Sequence, residues 1–236
     1  CLKAWKSRSL PGLLFMNKIS IVIPIYNEVE NIENLYNEII VALNNKIEFE
    51  IILVNDYSND GSDLLLNKLN ENDFTNILSN NKNMGQSYSL YNGITKAKNN
   101  VIVTLDGDGQ NDPNDILTLI KIYFDSEDIS LVGGIRIKRK DNIIKIVSSK
   151  IANSFRSFIL NDNCSDTGCG LKVFNKNIFL KIPYFDGMHR FLPALFNGYG
   201  YKTAFYPVNH RPRAYGVSKY GTLDRLFKGI KDIIKV

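Results

Sequence analysis

Val101-Ile102-Val103-Thr104-Leu105-Asp106-Gly107-Asp108-Gly109-Gln110 reads as an apolar strand that runs out into two carboxylates separated by one glycine. Alternate side chains of an extended chain point the same way, so Asp106 and Asp108 can face one hard cation. Mg²⁺ or Mn²⁺ held by one or two carboxylates completes its shell with phosphate oxygens and water, which makes a nucleoside diphosphate the first ligand to consider. Asp-Gly-Asp is also ordinary turn chemistry, because both residue types tolerate tight backbone geometry. The surrounding sequence has to decide between the two readings.

Upstream, Ile19-Ser20-Ile21-Val22-Ile23-Pro24 forms a first strand, Ile32, Leu35, Ile39 and Leu43 recur at helical spacing, and Phe49 to Val54 forms a second strand. Ser58-Asn59-Asp60-Gly61-Ser62 is a cap-rich opening for a helix through Leu64 to Leu69, and a weaker strand lies around Asn76 to Leu78. Gly85, Ser89, Gly93 and Ala97 are four apart, so they line one face of a third helix and let its backbone approach a sheet closely. Asp112-Pro113 predicts a further helix start, with a capping carboxylate and proline in the first turn, and Ile129 to Ile137 is another strand. Strands alternating with amphipathic helices predict an α/β fold, an open, mostly parallel, Rossmann-like sheet with helices on both faces. Ligands of such sheets bind beyond the carboxyl ends of the strands, where Asp106 and Asp108 are delivered.

The chain has 236 residues, enough for one large or two small domains. With no repeat, low-complexity tract or linker, a single domain is expected over residues 16–236. It is expected to divide into a first half, 16–128, that carries the acidic pair and a second half, 129–236, that is more basic and amphipathic. Residues 1–15 precede Met16-Asn17-Lys18 and are set aside as a non-native or disordered leader. The net charge of +5 favours an anionic partner without naming it. Cys1, Cys164 and Cys169 form neither a disulfide ladder nor a zinc spacing, which fits a reduced, cytoplasmic setting.

No apolar run approaches the roughly 20 residues that span a bilayer, so any membrane contact is expected to be peripheral. Two stretches of the second half are basic and amphipathic. Ile143, Ile144, Val147, Ile151, Phe155, Phe158 and Ile159 alternate with Lys145, Lys150 and Arg156, and Leu223 to Ile234 repeats the pattern. Both predict interfacial helices.

Three more motifs accompany the acidic pair: Pro24-Ile25-Tyr26-Asn27-Glu28, then Val54-Asn55-Asp56-Tyr57-Ser58-Asn59-Asp60-Gly61-Ser62, then Asn83-Met84-Gly85-Gln86-Ser87. In this order they resemble the family-2 glycosyltransferases, over nearly everything from Ile19 onward. Within that family the chain looks most like the branch of dolichol-phosphate mannose synthases and undecaprenyl-phosphate sugar transferases. The support is Asp106 to Pro113, then Asp166-Thr167-Gly168-Cys169-Gly170-Leu171-Lys172, then Arg213-Ala214-Tyr215-Gly216-Val217-Ser218-Lys219.

The resemblance implies a GT-A-type fold and a metal-dependent, inverting hexosyltransferase, with a nucleotide-sugar-binding half over 16–128 and an acceptor-binding half over 129–236. Its donor would be a nucleotide sugar, GDP-mannose or a UDP-sugar, and its acceptor a polyprenyl (dolichyl or undecaprenyl) phosphate at the cytoplasmic face of the membrane. By similarity Asp106, Asp108 and Gln110 hold Mg²⁺ or Mn²⁺. Pro24, Tyr26, Glu28, Asp56, Gly85, Asp106 and Arg136 bind the nucleotide sugar. Arg156, Lys172, Arg213, Ser218 and Lys219 bind the acceptor phosphate, and Asp106, Asp108, Arg213 and Lys219 are the catalytic set. A polyprenyl phosphate already carries an anionic oxygen, so it needs positioning and charge compensation more than a base. Asn55 departs from the family, since many relatives carry an acidic residue beside Asp56.

Other readings stay open. A relative that glycosylates a sugar hydroxyl would need a base, for which Asp166 and Asp186 are the evident carboxylates of the second half. A nucleotidyltransferase would open with a Gly-rich, Arg-containing loop after its first strand, which Pro24 to Glu28 is not. A basic nucleic-acid-binding protein would leave the acidic pair unexplained, and the chain carries no recognition module. The two histidines, His189 and His210, read as structural, with His189 and Arg190 a further option for contact with sugar or phosphate.

Overall fold

The computed structural model describes residues 17–137, 160 and 164–216. The amino-terminal half runs β1 (Lys18–Ile25), α1 (Val29–Leu43), β2 (Glu48–Asn55), α2 (Ser62–Leu69), β3 (Thr75–Ser79), α3 (Gln86–Lys96) and β4 (Val101–Thr104). It continues through α4 (Asp115–Phe124), β5 (Ile129–Arg136), β6 (Lys172–Asn175), α5 (Lys176–Phe179), a 3₁₀ turn (Met188–Arg190), α6 (Leu192–Gly198) and β7 (Lys202–Val208).

The strands form one sheet in the order β3-β2-β1-β4-β6-β5-β7. β3, β2, β1 and β4 are mutually parallel, β6 is antiparallel to both β4 and β5, and β7 closes the far edge parallel to β5. Strands from both halves of the sequence therefore share a single sheet. β1 is buried on both faces from Ile19 to Ile23, as expected of a parallel strand covered by helices on each side. One face packs Ile32, Leu35, Ile39, Leu66, Ile116 and Leu119 from α1, α2 and α4. The opposite face packs Leu90, Ile94, Phe179, Leu195 and Phe196 from α3, α5 and α6. Each such side chain contributes about 1.5–3 kcal/mol when fully buried.

The small-residue stripe of α3 has the expected consequence. A Cβ on Gly93 would lie 2.5 Å from Val22 Cγ1 and 2.9 Å from Val54 Cγ2, so the helix sits directly on β1 and β2. The α2 opening falls in the expected 58–62 segment, whereas the α4 start differs from the sequence expectation. α2 begins at Ser62 after a left-handed Gly61, with Asp60 bonding the Ser62 N–H and hydroxyl ahead of the helix. α4 begins at Asp115, because Asp112 spends its carboxylate on the N–H and amide of Asn114 and forms a preceding turn.

β1 connects to β2 on one side, whereas β4 returns to the other, so the chain reverses direction between β1 and β4. Crevices at such a switch point collect ligands in open α/β sheets. Tyr26 and Glu28 leave β1 at this edge, and Asp106 and Asp108 leave β4 beside them.

Candidate active site at the β1–β4 switch point

β4 ends at Thr104, two residues before Asp106, and residues 107–109 form a turn with Gly109 at φ +70°. The carboxylates thus lie on a turn beyond the strand and not on the strand itself. The two readings of Asp-Gly-Asp are both realised: the turn is what aims the acids. Thr104 anchors it by donating its hydroxyl to the Gly170 carbonyl at 2.7 Å.

Asp106 is enclosed. Gln86 Nε2 donates to its Oδ1 at 2.8 Å from the start of α3. Burial, then the neighbouring Asp108 carboxylate, push its pKa up to about 6, against the opposing pull of Lys172, Arg136 and the Gln86 bond. Asp108 accepts the Gln110 N–H at Oδ1 (3.1 Å) and Arg213 Nη2 at Oδ2 (2.7 Å). The other arm of Arg213, Nη1, donates to Glu28 Oε1 at 3.2 Å, and Glu28 also accepts from Asn31 Nδ2 at 2.7 Å. One guanidinium therefore bridges the carboxylates that leave β1 and β4.

Arg213 arrives on a strap, residues 209–216, that follows β7 and crosses the acidic turn. Asn209 N–H donates to Asp115, Arg211 N–H donates to the Gln110 carbonyl, and Gln110 Nε2 donates to the Arg211 carbonyl. Arg211 pairs with Glu38 of α1 at 2.7 Å, and Asn111 bridges to His210. Gln110 is thereby fixed beside Asp108 with its amide nitrogen turned to the strap.

The remaining expected residues fall into distinct places. Pro24 lies within β1, and Tyr26 is exposed at its end. Asp56 is buried, accepting from Asn80 Nδ2 and the Met84 N–H at Oδ1 and from the Gly85 N–H at Oδ2, each at 2.8 Å. It clamps the loop that precedes α3. Gly85 has φ +85°, a conformation that favours glycine. Asn55 Oδ1 caps the following turn by accepting the Ser58 N–H, and Asn27 and Tyr57 are both left-handed, at φ 51° and 65°. The loops after β1 and β2 are stitched together by Asn27 N–H to Ser58 Oγ and by Asn59 N–H to Asn27 Oδ1.

Arg136 makes a two-pronged pair with Asp166 (2.8 and 2.7 Å). The Asp166 carboxylate outweighs burial and holds the guanidinium above its usual range. Lys172 is 5% exposed, sits opposite Thr104 on β6 and donates its ammonium to the Cys169 carbonyl, which places it under Asp106 and away from solvent. His189 is held through Nδ1 to Ser87 Oγ at 2.6 Å. Arg156, Ser218, Lys219 and both basic amphipathic stretches lie outside the described residues.

Sequence reasoning did not single out Gln86, Asn31, Gly170 or Arg211. Gln86 and Gly170 stand inside quoted motifs, but nothing local says that they touch Asp106. Arg211 stands two residues before Arg213 and carries no local signal of its pairing with Glu38.

The donor set suits a divalent cation. Two carboxylates converge, and a cation, the guanidinium of Arg213, already compensates one of them. Among the described residues no group of three or more His, Cys, Asp or Glu side chains could cage an ion. A pair suffices for a cation that shares its shell with a diphosphate.

An open α/β sheet with an acidic pair at its switch point is the arrangement of the GT-A type. The glycosyl transferase family 2 model matches residues 20–182, and the chain belongs to that family. It is 32% identical over 225 residues to a dodecaprenyl-phosphate galacturonate synthase of Rhizobium johnstonii, covering 93% of this chain and 66% of that protein. It is 31% identical over 222 residues to an undecaprenyl-phosphate 4-deoxy-4-formamido-L-arabinose transferase of Yersinia pestis, covering 93% and 67%. The chain thus spans about two thirds of the length of these relatives.

Among solved structures, glucosyl-3-phosphoglycerate synthase of Mycobacterium tuberculosis, in complex with Mn²⁺, UDP and glucosyl-3-phosphoglycerate, superposes with a TM-score of 0.72 at 16% identity. The match covers 98% of this chain and 84% of that one. Mannosyl-3-phosphoglycerate synthase of Rubrobacter xylanophilus gives 0.69 at 13%, covering 93% and 73%. These likenesses establish the fold.

Proposed function

We propose that the chain is a divalent-metal-dependent, inverting glycosyltransferase that moves one sugar from a nucleotide sugar to a polyprenyl phosphate at the cytoplasmic face of a membrane. The observation that carries this reading is the convergence of Asp106, Asp108, Glu28 and Arg213 at the β1–β4 switch point, an acidic pair with an arginine already in the crevice. The curated relatives, both named for prenyl-phosphate chemistry, support the acceptor class.

Asp106 and Asp108, with Gln110 beside them, would hold Mg²⁺ or Mn²⁺. Such an ion supplies charge neutralisation to the departing diphosphate. Tyr26 offers a flat face to the nucleobase, and Asp56 holds the backbone of Met84 and Gly85 at the end of β2. Arg213 compensates the charge of the acceptor phosphate, whose anionic oxygen attacks the anomeric carbon in line and inverts it. Arg156, Ser218 and Lys219 complete the acceptor side in this proposal, and the basic stretches of the second half meet the lipid surface. Among the described residues no helix is long and apolar enough to cross a membrane.

The hydroxyl-acceptor reading is weaker on one specific ground. Asp166, one of the two carboxylates available as its base, has both oxygens engaged by Arg136.

The test is a donor panel (GDP-mannose, UDP-glucose, UDP-N-acetylglucosamine, a UDP-linked modified arabinose) offered with polyprenyl phosphate, with and without Mn²⁺, reading out lipid-linked sugar. Metal-dependent transfer to lipid is the expected result. Transfer only to free sugar hydroxyls would replace the acceptor assignment.

A further inference from the structure

We propose that Arg213 is the built-in counter-cation of the acidic pair, exchanged for a divalent ion when one binds, and that Glu28 is the positioning residue that keeps the released guanidinium at the site for an incoming phosphate. This rests on the reading of Asp106 and Asp108 as a cation site.

Both oxygens of Asp108 are already taken, Oδ1 by the Gln110 N–H and Oδ2 by Arg213 Nη2 at 2.7 Å. The Arg213, Asp108 and Glu28 side chains are 22%, 13% and 9% exposed, so the bridge is largely out of water and stronger than a surface pair. A guanidinium and a divalent ion cannot share one carboxylate oxygen without facing each other as like charges. For Asp108 to offer Oδ2 to such an ion, Arg213 would have to leave it.

The strap does not have to move for this to happen. Asn209 N–H to Asp115, Arg211 N–H to the Gln110 carbonyl and the Arg211–Glu38 pair hold it independently of Arg213. Glu28 is likewise fixed from its own side by Asn31, whose amide also donates to the Tyr215 carbonyl of the strap at 3.4 Å. Swinging the Arg213 side chain about its Glu28 contact is the only rearrangement required.

The exchange has a chemical consequence. With the site free of metal, the charge of Arg213 is spent on Asp108 and is masked from a phosphate. Once a cation takes Asp108, the arm that faced it becomes available while the other stays on Glu28. Cation binding thus precedes and enables capture of the acceptor phosphate, and a lipid phosphate gains little by binding first.

The experiment is a titration of the whole chain with Mn²⁺ alone, without nucleotide or lipid, with free Mn²⁺ followed by electron paramagnetic resonance. Arg213→Ala is expected to bind Mn²⁺ about tenfold more tightly than wild type, the equivalent of about 1.4 kcal/mol. Arg213→Lys, which keeps a cation within reach of Asp108, should stay within about threefold of wild type. If alanine prevents folding, Arg213→Gln repeats the measurement with the stem retained.

Unchanged or weaker Mn²⁺ binding in the alanine or glutamine variant overturns the exchange while leaving the cation site standing. If Asp108→Asn binds Mn²⁺ as wild type does, the cation site itself fails, and the exchange with it. For Glu28→Gln, KM for polyprenyl phosphate should rise about tenfold more than KM for the nucleotide sugar. The opposite order makes Glu28 a donor ligand and overturns its positioning role.

Discussion

The carboxyl group of Asp106 lies so close over the α-carbon of Gly170 that a Cβ at position 170 would overlap it. The same glycine accepts the Thr104 hydroxyl through its carbonyl, so its backbone cannot simply back away. Gly170→Ala must therefore turn the Asp106 side chain. A displacement of about 1 Å at such a group costs on the order of a hundredfold in turnover. We expect that loss in sugar transfer together with weakened Mn²⁺ binding. Wild-type values for both would show that Asp106 does not need its present position.

The pH dependence of stability follows from the same carboxyl. Burial and Asp108 raise the pKa of Asp106 to about 6, from an ordinary value of 3.8. The folded chain therefore holds this proton more tightly than the unfolded one. The contribution is most favourable below about pH 4, is lost progressively as pH rises toward 6, and at pH 7 amounts to a cost on the order of 3 kcal/mol. In metal-free protein Asp106→Asn should raise Tm at pH 7 and have a much smaller effect at pH 4. Thermal melts across pH 4 to 7 check this, and equal shifts at both ends would contradict it.

Asp56 collects three donors from the 80–85 segment, two of them backbone N–H groups. Asp56→Asn keeps the shape but can turn only one oxygen toward them, and its amide nitrogen then faces a donor. An unsatisfied buried donor costs about 1–3 kcal/mol. We expect a lower Tm and a KM for the nucleotide sugar that rises more than KM for the lipid. A variant with normal stability would mean that the clamp is not needed.

How far the sequence alone reaches is visible in these residues. The parallel run β1 to β4 was legible because Ile, Val and Leu crowd strands that are buried on both faces, and the α3 stripe was legible because Gly93 must fit against Val22 and Val54. β6 was not read as a strand. It is only four residues, Lys-Val-Phe-Asn, and its antiparallel insertion between β4 and β5 is decided by pairing with distant partners.

β7, Lys202 to Val208, is a partly exposed edge carrying Pro207, with none of the apolar density that marked the central strands. The acidic pair was legible as chemistry, but its setting was not. That Arg213 reaches back 105 residues to Asp108, or that Lys172 is turned inward to a carbonyl, depends on how the strap and β6 pack.

The pairing of Arg136 decides between two roles for its guanidinium. Asp166 receives its Nε and Nη2 as well as its backbone N–H, and a Cβ on Gly168 would lie 2.8 Å from Nη2, so the side chain is fully committed within the fold. From there it acts on Asp106 by charge, favouring the ionised form. Asp166→Ala would strand a guanidinium that is only 15% exposed, at a cost of about 3–5 kcal/mol. The double variant Arg136→Met with Asp166→Ala removes the stranded charge and should recover part of that loss. It also withdraws a cation from Asp106, so Mn²⁺ binding at pH 6 should weaken more than at pH 8, where Asp106 ionises without help. Thermal melts of the single and double variants, with Mn²⁺ titrations at the two pH values, separate this from a direct contact between Arg136 and the nucleotide. A direct contact would raise KM for the nucleotide sugar equally at both pH values and leave metal binding untouched.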